Sequence, residues 1–210
     1  MNVELLHYTP ITNCDRAISK CWNKPYDPDN VNYDKIDRIA NKFKHESTIE
    51  HIVYQFDIDG VSRALLQEQA RHRMASYSVK SSRYTLGELK NEHGLSAIFD
   101  YDMDGAWGIA SKYLIPTGNI DVDNASISAL QRLQALLQQN VANDLVKYCM
   151  PESYKTSYVM TINARSLKNF LSLRSSKSAL WEIRDLANAI YQTIPTEHKF
   201  LFSDSMKGDS

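Results

Sequence analysis

The run Arg71–Thr85, RHRMASYSVKSSRYT, gathers more chemically capable side chains than any other part of the chain. Arg71, His72 and Arg73 are contiguous, and Arg83 follows ten residues after Arg73, with a series of hydroxyls between them. Guanidinium groups suit planar, bidentate capture of phosphate, and serine hydroxyls and loop N–H groups supply further donors. That chemistry is a phosphate or nucleotide site. The same residues also fit a solvated basic face at a helix C-terminus, where positive charge is favourable in any case. Residue type alone leaves both readings open.

A second cation stands out by position. Leu167, Phe170 and Leu171 form an apolar stripe at i, i+3 and i+4, and Arg174 falls at i+7 on the same face. An unpaired buried guanidinium is very costly, so Arg174 needs an anion. That anion is either a structural acid such as Glu182, Asp185 or one distant in sequence, or a ligand. Asn163 and Asn169, just before and within this helix, can hydrogen-bond a flat heteroaromatic ring, and can equally serve as caps. His45 and His51 bracket HESTIEH, but the histidines of an HExxH zinc helix lie at i and i+4, whereas these are six apart, so no metal site is expected.

Composition narrows the remaining classes. The chain has 210 residues, 43% hydrophobic and 23% charged, which is enough to bury one sizeable core, and one domain is the default. A formal net charge of −1 gives no overall attraction for nucleic acid or an anionic membrane, so any anion site must be local. The N-terminal residues lack a signal-peptide pattern and no apolar run reaches membrane-spanning length, which predicts a cytoplasmic protein. Cys14, Cys21 and Cys149 are three widely spaced cysteines, which read as reduced, core-associated side chains and not as a disulfide or zinc set. The seven glycines form neither GxGxxG nor a P-loop, so side chains must do more of the work at any nucleotide site.

The elements that would position these groups follow from periodicity. Asp34 to Lys44 reads as a helix, and Ile52 to Asp59 alternates as a half-buried strand with Tyr54, Phe56 and Ile58 inward and Gly60 at its end. Ser62 caps a helix running toward Arg71. Met74 to Thr85 reads as an ordered polar loop, and Gly87 to Asn124 as a weakly periodic insertion. Helices are predicted at Ala125 to Gln139, Asn143 to Met150, Ser166 to Arg174 and Ala179 to Ile190, with a short strand at Tyr158 to Ile162 and a polar tail from Ser203 to Ser210. Many helices around few strands, without regular βα alternation, is an α+β pattern.

These motifs together resemble one family. RHR followed by seven residues and Ser81 matches the signature of the flavin-dependent thymidylate synthases. HESTIEH resembles the family's segment before its first strand, SRALLQEQARHR its helix leading into the motif, and TINARSLKNFLSLRSSKSALWEIRDLA its C-terminal active-site region. The resemblance implies a single α+β domain of the thymidylate synthase-complementing type over residues 1–202, with 203–210 as a tail. It implies reductive methylation of dUMP to dTMP, with methylenetetrahydrofolate as carbon donor and FAD, reduced by NADPH, as hydride source. It further implies a homotetramer with active sites shared between subunits.

Carried onto matching positions, His45, Ser47, Arg71, His72, Arg73, Asn163, Arg165 and Asn169 would hold FAD. Glu68, Arg71, Ser81, Ser82, Arg83, Lys147 and Arg174 would hold dUMP, with Arg174 the catalytic cation beside the uracil. Three positions depart from the common pattern: Val79 replaces a frequent polar residue, Lys147 a frequent arginine, and Ser178 a histidine found in some members. Ser81 has no evident histidine partner and is read as a dUMP ligand, not a nucleophile. The competing reading is a non-catalytic protein using Arg71, Arg73 and Arg83 on a nucleotide or on nucleic-acid phosphates, which the balanced charge disfavours.

Overall fold

The computed structural model describes residues 1–95 and 103–206. Four strands, β1 (Asn2–Tyr8), β2 (Val53–Ser62), β3 (Ala75–Val79) and β4 (Lys155–Asn163), form one sheet in the order β1-β2-β4-β3. The principal helices are α1 (Thr12–Cys21), α2 (Tyr33–Asp37), α3 (Arg63–Gln69), α4 (Ser82–Lys90), α5 (Met103–Ala110), α6 (Ile120–Gln138), α7 (Asn143–Val146), α8 (Ala164–Arg174) and α9 (Trp181–Thr193). This is the α+β class that periodicity predicts. The chain divides into two compact units: residues Met1–Asp59, Glu68–Ser78 and Tyr158–Ser210 form the first, and Gly60–Gln67 with Val79–Ser157 form the second.

In the first unit, β2 places Tyr54, Phe56 and Ile58 fully inside, as its alternation requires. Leu167, Phe170 and Leu171 of α8 and Ile183, Leu186 and Ile190 of α9 are equally buried, so both helices turn their apolar stripes inward. Gly60 does not end β2. It takes φ +67°, a left-handed conformation that glycine adopts without a Cβ penalty, and pairing continues to Ser62. The Ser62 hydroxyl then accepts from Leu65 N–H at 3.0 Å, capping α3 as expected. Asp34–Lys44 is helical, but as α2 running into a π-helical turn at Arg38–Lys42.

The second unit has its own core of α4, α6 and α7 residues, including Leu86, Leu89, Leu130, Leu133, Leu137 and Val146. The long α6 begins at Asn119, whose side chain accepts from Asp121 N–H and Val122 N–H at 3.1 and 3.2 Å. Asn119→Ala removes both bonds, and the expected loss is about 1 kcal/mol of stability in urea unfolding. An unchanged midpoint would show that neighbouring groups take over the cap.

Three sequence readings need correction. The Met74–Thr85 run is not a loop: it contains β3, a short connection and the first turn of α4. Its hydroxyls hide a short alternation, Ala75 and Tyr77 half-buried against exposed Ser76 and Ser78, on the strand at the sheet edge; Val79 at its end is exposed. Two elements near the N-terminus, β1 and α1, were not anticipated. β1 pairs antiparallel with β2, but its register shifts between Leu5 and His7, which breaks the alternation and leaves Leu6 46% exposed. Of the cysteines only Cys14 is buried, its thiol pushed up to about 11 by burial; Cys21 and Cys149 are exposed. Part of the Gly87–Asn124 stretch, residues 96–102, and the tail end, 207–210, lie outside the described residues.

Candidate functional site

The first unit contains a cavity of about 660 Å³ lined by Arg71, His72, Arg73, Met74, Asn163, Arg165, Ser166, Asn169, Leu173, Arg174, Ser178, Ala179 and Glu50. Six of the eight residues assigned to the cofactor, and Arg174 with them, converge here from segments far apart in sequence. Two do not. Ser47 lines a separate recess with Arg16, Lys20, Cys21 and His51, and the exposed His45 sits beside Phe43, ring centroids 6.2 Å apart.

The backbone of the turn that carries the RHR segment is held by uncharged groups. Beyond the end of α3, His72 N–H donates to the Gln69 carbonyl at 3.0 Å. The Tyr77 hydroxyl of β3 lies 2.9 Å from the His72 carbonyl and 3.1 Å from that of Gln69, sharing its proton between them. Gln69 is wholly buried and its amide reaches the Met160 sulfur at 3.0 Å. Tyr77 and Gln69 therefore fix the turn that presents the three basic residues. Neither was singled out from sequence; the signal available was the period-two placement of Tyr77 within the hydroxyl run.

Arg174, at the C-terminus of α8, has a side chain only 14% exposed. Its Nη1 donates to Glu68 Oε2 at 2.7 Å, its Nη2 to the Glu68 carbonyl at 3.1 Å, and its Nε to His72 Nε2 at 2.9 Å. The partner acid is thus Glu68, distant in sequence, and neither Glu182 nor Asp185. Accepting at Nε2 requires a neutral His72 ring. Burial, reinforced by the Arg174 charge, lowers its pKa to about 4, against the opposing pull of Glu68. The ring also packs edge-on against Phe170, centroids 5.0 Å apart.

The other cations differ in how far they are neutralised. Arg71 is 72% exposed and only loosely paired with Glu68 Oε1 at 3.6 Å. The Arg73 guanidinium has no ion pair among the described residues. Arg165 binds Glu50 at 2.6 Å and lies 3.7 Å from Glu46, both acids belonging to HESTIEH. Asn163 caps α8 through Ser166 N–H at 2.9 Å and also lines the cavity.

These features fit a flavin nucleotide. Met74, 73% exposed, together with Leu173 and Ala179, offers apolar surface for a flat ring; Asn163 and Asn169 offer amides; Arg71 and Arg73 offer charge for phosphates. The volume is within the ~300–1,000 Å³ range of ligand pockets.

The residues assigned to dUMP divide between the units. Glu68, Arg71 and Arg174 belong to the first, and Ser81, Ser82, Arg83 and Lys147 to the second. Ser81 is the N-cap of α4, its hydroxyl accepting from Arg83 N–H at 3.4 Å, and Lys147 opens the short 3₁₀ turn after α7. Ser82 begins α4, and Arg83 follows in its first turn.

The α+β fold thus carries a cation-rich, amide-lined cavity with the size and donor set that a nucleotide would need. The family model described as thymidylate synthase complementing protein matches residues 4–198, and the chain belongs to that family. It is 52% identical over 213 aligned positions, covering 100% of this chain and 99% of the relative, to a flavin-dependent thymidylate synthase of Campylobacter jejuni. A Helicobacter pylori protein of the same name is 47% identical over 211 positions, covering 99% of this chain and all of that protein. The crystal structure of thymidylate synthase X from Helicobacter pylori, solved with FAD and dUMP, superposes with a TM-score of 0.91 at 45% identity and covers 99% of each chain.

Proposed function

We propose that this protein is a flavin-dependent thymidylate synthase that converts dUMP to dTMP with methylenetetrahydrofolate as carbon donor. The observation that carries the reading is the convergence of Arg71, His72, Arg73, Asn163, Arg165, Asn169 and Arg174 on one cavity of flavin size. In the synthase reading, bound FAD, once reduced by NADPH, supplies the hydride that completes the methyl group.

The chain's own residues bind, orient and supply field. Arg71 and Arg73 carry unspent charge toward phosphates, and Asn163 and Asn169 fix the orientation of the flavin ring. His45 and Ser47, outside the cavity in this chain, complete a cofactor site in a homotetramer whose sites are shared. Glu68, Arg71, Ser81, Ser82, Arg83, Lys147 and Arg174 hold dUMP, and in such an assembly the contributions of the two units need not come from one chain. Arg174 lies beside the uracil and favours its N3-deprotonated form, since a nearby cation in a water-poor site stabilises an anion. That raises electron density where the pyrimidine meets the one-carbon unit. The protein works in the cytoplasm as a soluble enzyme of dTMP biosynthesis.

The test is the visible spectrum of the purified protein after FAD addition and desalting, followed by anaerobic reduction with NADPH with and without dUMP. A retained flavin spectrum whose bleaching responds to dUMP, with dTMP formed when the folate is added, is the expected result. Failure to retain flavin would overturn the reading.

A further inference from the structure

His72 is held at three of its groups at once. Its N–H donates to the Gln69 carbonyl at 3.0 Å, its carbonyl accepts from the Tyr77 hydroxyl at 2.9 Å, and its ring Nε2 accepts from Arg174 Nε at 2.9 Å. A chain of contacts therefore runs from β3 through His72 to the guanidinium. Tyr77 itself is not among the residues that line the cavity.

The surroundings of Tyr77 direct its single proton. Its ring is half-buried and packs edge-on against Tyr158, centroids 6.0 Å apart. The wholly buried Gln69 turns its side-chain amide toward the phenol oxygen, donating at 3.4 Å, which leaves the phenol proton for the His72 and Gln69 carbonyls at 2.9 and 3.1 Å. Burial pushes the phenol pKa up, against the Gln69 hydrogen bond, so that the proton stays on the hydroxyl at neutral pH. With both backbone groups of His72 tied, the imidazole leaves a fixed Cα and meets the edge of Phe170, centroids 5.0 Å apart, where Nε2 receives Arg174.

We propose that Tyr77 is a positioning residue for the reaction: its hydroxyl fixes His72 and, through His72, aims the Arg174 guanidinium. The kinetic half of this inference rests on the synthase reading, whereas the link from Tyr77 to His72 does not.

Tyr77→Phe in the full chain tests it, because it removes the hydroxyl and keeps the ring packed on Tyr158. NMR titration of the His72 imidazole in flavin-free protein reads the link directly. A loosened His72 gains water while Arg174, Arg71 and Glu68 still face it, so its pKa should rise from about 4 by at least about one unit toward the ordinary 6.5. In the FAD-loaded enzyme kcat should fall about tenfold or more, since a small misplacement can cost about 10²-fold, with KM for dUMP changed less than about twofold. Tyr158→Phe removes a neighbouring buried hydroxyl that lies outside the chain of contacts, and should leave both values as in the wild type. Gln69→Met conserves volume and removes the donor to the phenol oxygen; it should shift His72 the same way by less, and it decides the matter if Tyr77→Phe does not fold. An unmoved His72 titration, a shift that Tyr158→Phe reproduces, or an unchanged kcat overturns the proposal. If the wild type retains no flavin, the synthase reading falls, and the titration alone still upholds or overturns the link from Tyr77 to His72.

Discussion

Arg174→Ala will abolish dTMP formation, with a loss of at least ~10²–10³ in turnover, while FAD remains bound after desalting. The size is that of removing one preorganised charge from a site of developing negative charge. Flavin survives because Arg71, Arg73, Asn163 and Asn169 still line the cavity. Arg174→Lys restores charge without the fork that reaches Glu68 and His72 at once, so partial recovery is expected. Loss of flavin with normal turnover after reconstitution would remove Arg174 from the chemistry. The structure adds a condition. Arg174 is held by Glu68 at 2.7 Å, so an anionic pyrimidine must compete with that carboxylate or share the guanidinium with it. Removal of Arg174 also leaves Glu68, among the described residues, with the looser Arg71 ion pair at 3.6 Å, and melting temperatures should accompany the assays.

The sequence was most informative where periodicity and chemistry agreed. Tyr54, Phe56 and Ile58 declared β2, and Leu167, Phe170 and Leu171 declared α8, because one-sided burial imposes a period on the chain. Arg174 was conspicuous for breaking such a stripe, and it does meet an anion. The identity of that anion was not legible, since Glu68 is 106 residues away and the pairing exists only once α8 and the end of α3 are juxtaposed. Edge elements were harder. β3 and β1 have few inward positions, and a register shift or a run of serines is enough to mask their alternation. Glu50 escaped notice in a cavity read as cationic, although HESTIEH carries two acids that Arg165 was free to meet.

His72 links the stability of the site to pH, and in an unusual direction for a histidine. Its folded-state pKa is depressed from the ordinary 6.5 to about 4, first by burial and then by Arg174, with Arg71 acting the same way and Glu68 opposing. Between those values the unfolded chain binds a proton that the folded chain refuses, so stability is fully present above pH ~6.5 and is lost as pH falls toward about 4. At 1.36 kcal/mol per unit the ceiling is about 3 kcal/mol, and solvent access to the open cavity reduces it. Urea unfolding of the wild type and of His72→Gln from pH 7 to 4.5 measures the effect: the wild type should lose the larger amount, and parallel losses would refute it. Protonation also destroys the acceptor for Arg174 Nε, placing two cations where a 2.9 Å hydrogen bond stood. Flavin retention should therefore weaken at acidic pH, as it should in His72→Ala at neutral pH, because the same ring lines the cavity and positions the Arg174 guanidinium. If His72→Ala binds FAD with undiminished affinity, the histidine orients Arg174 alone and has no part in holding the cofactor.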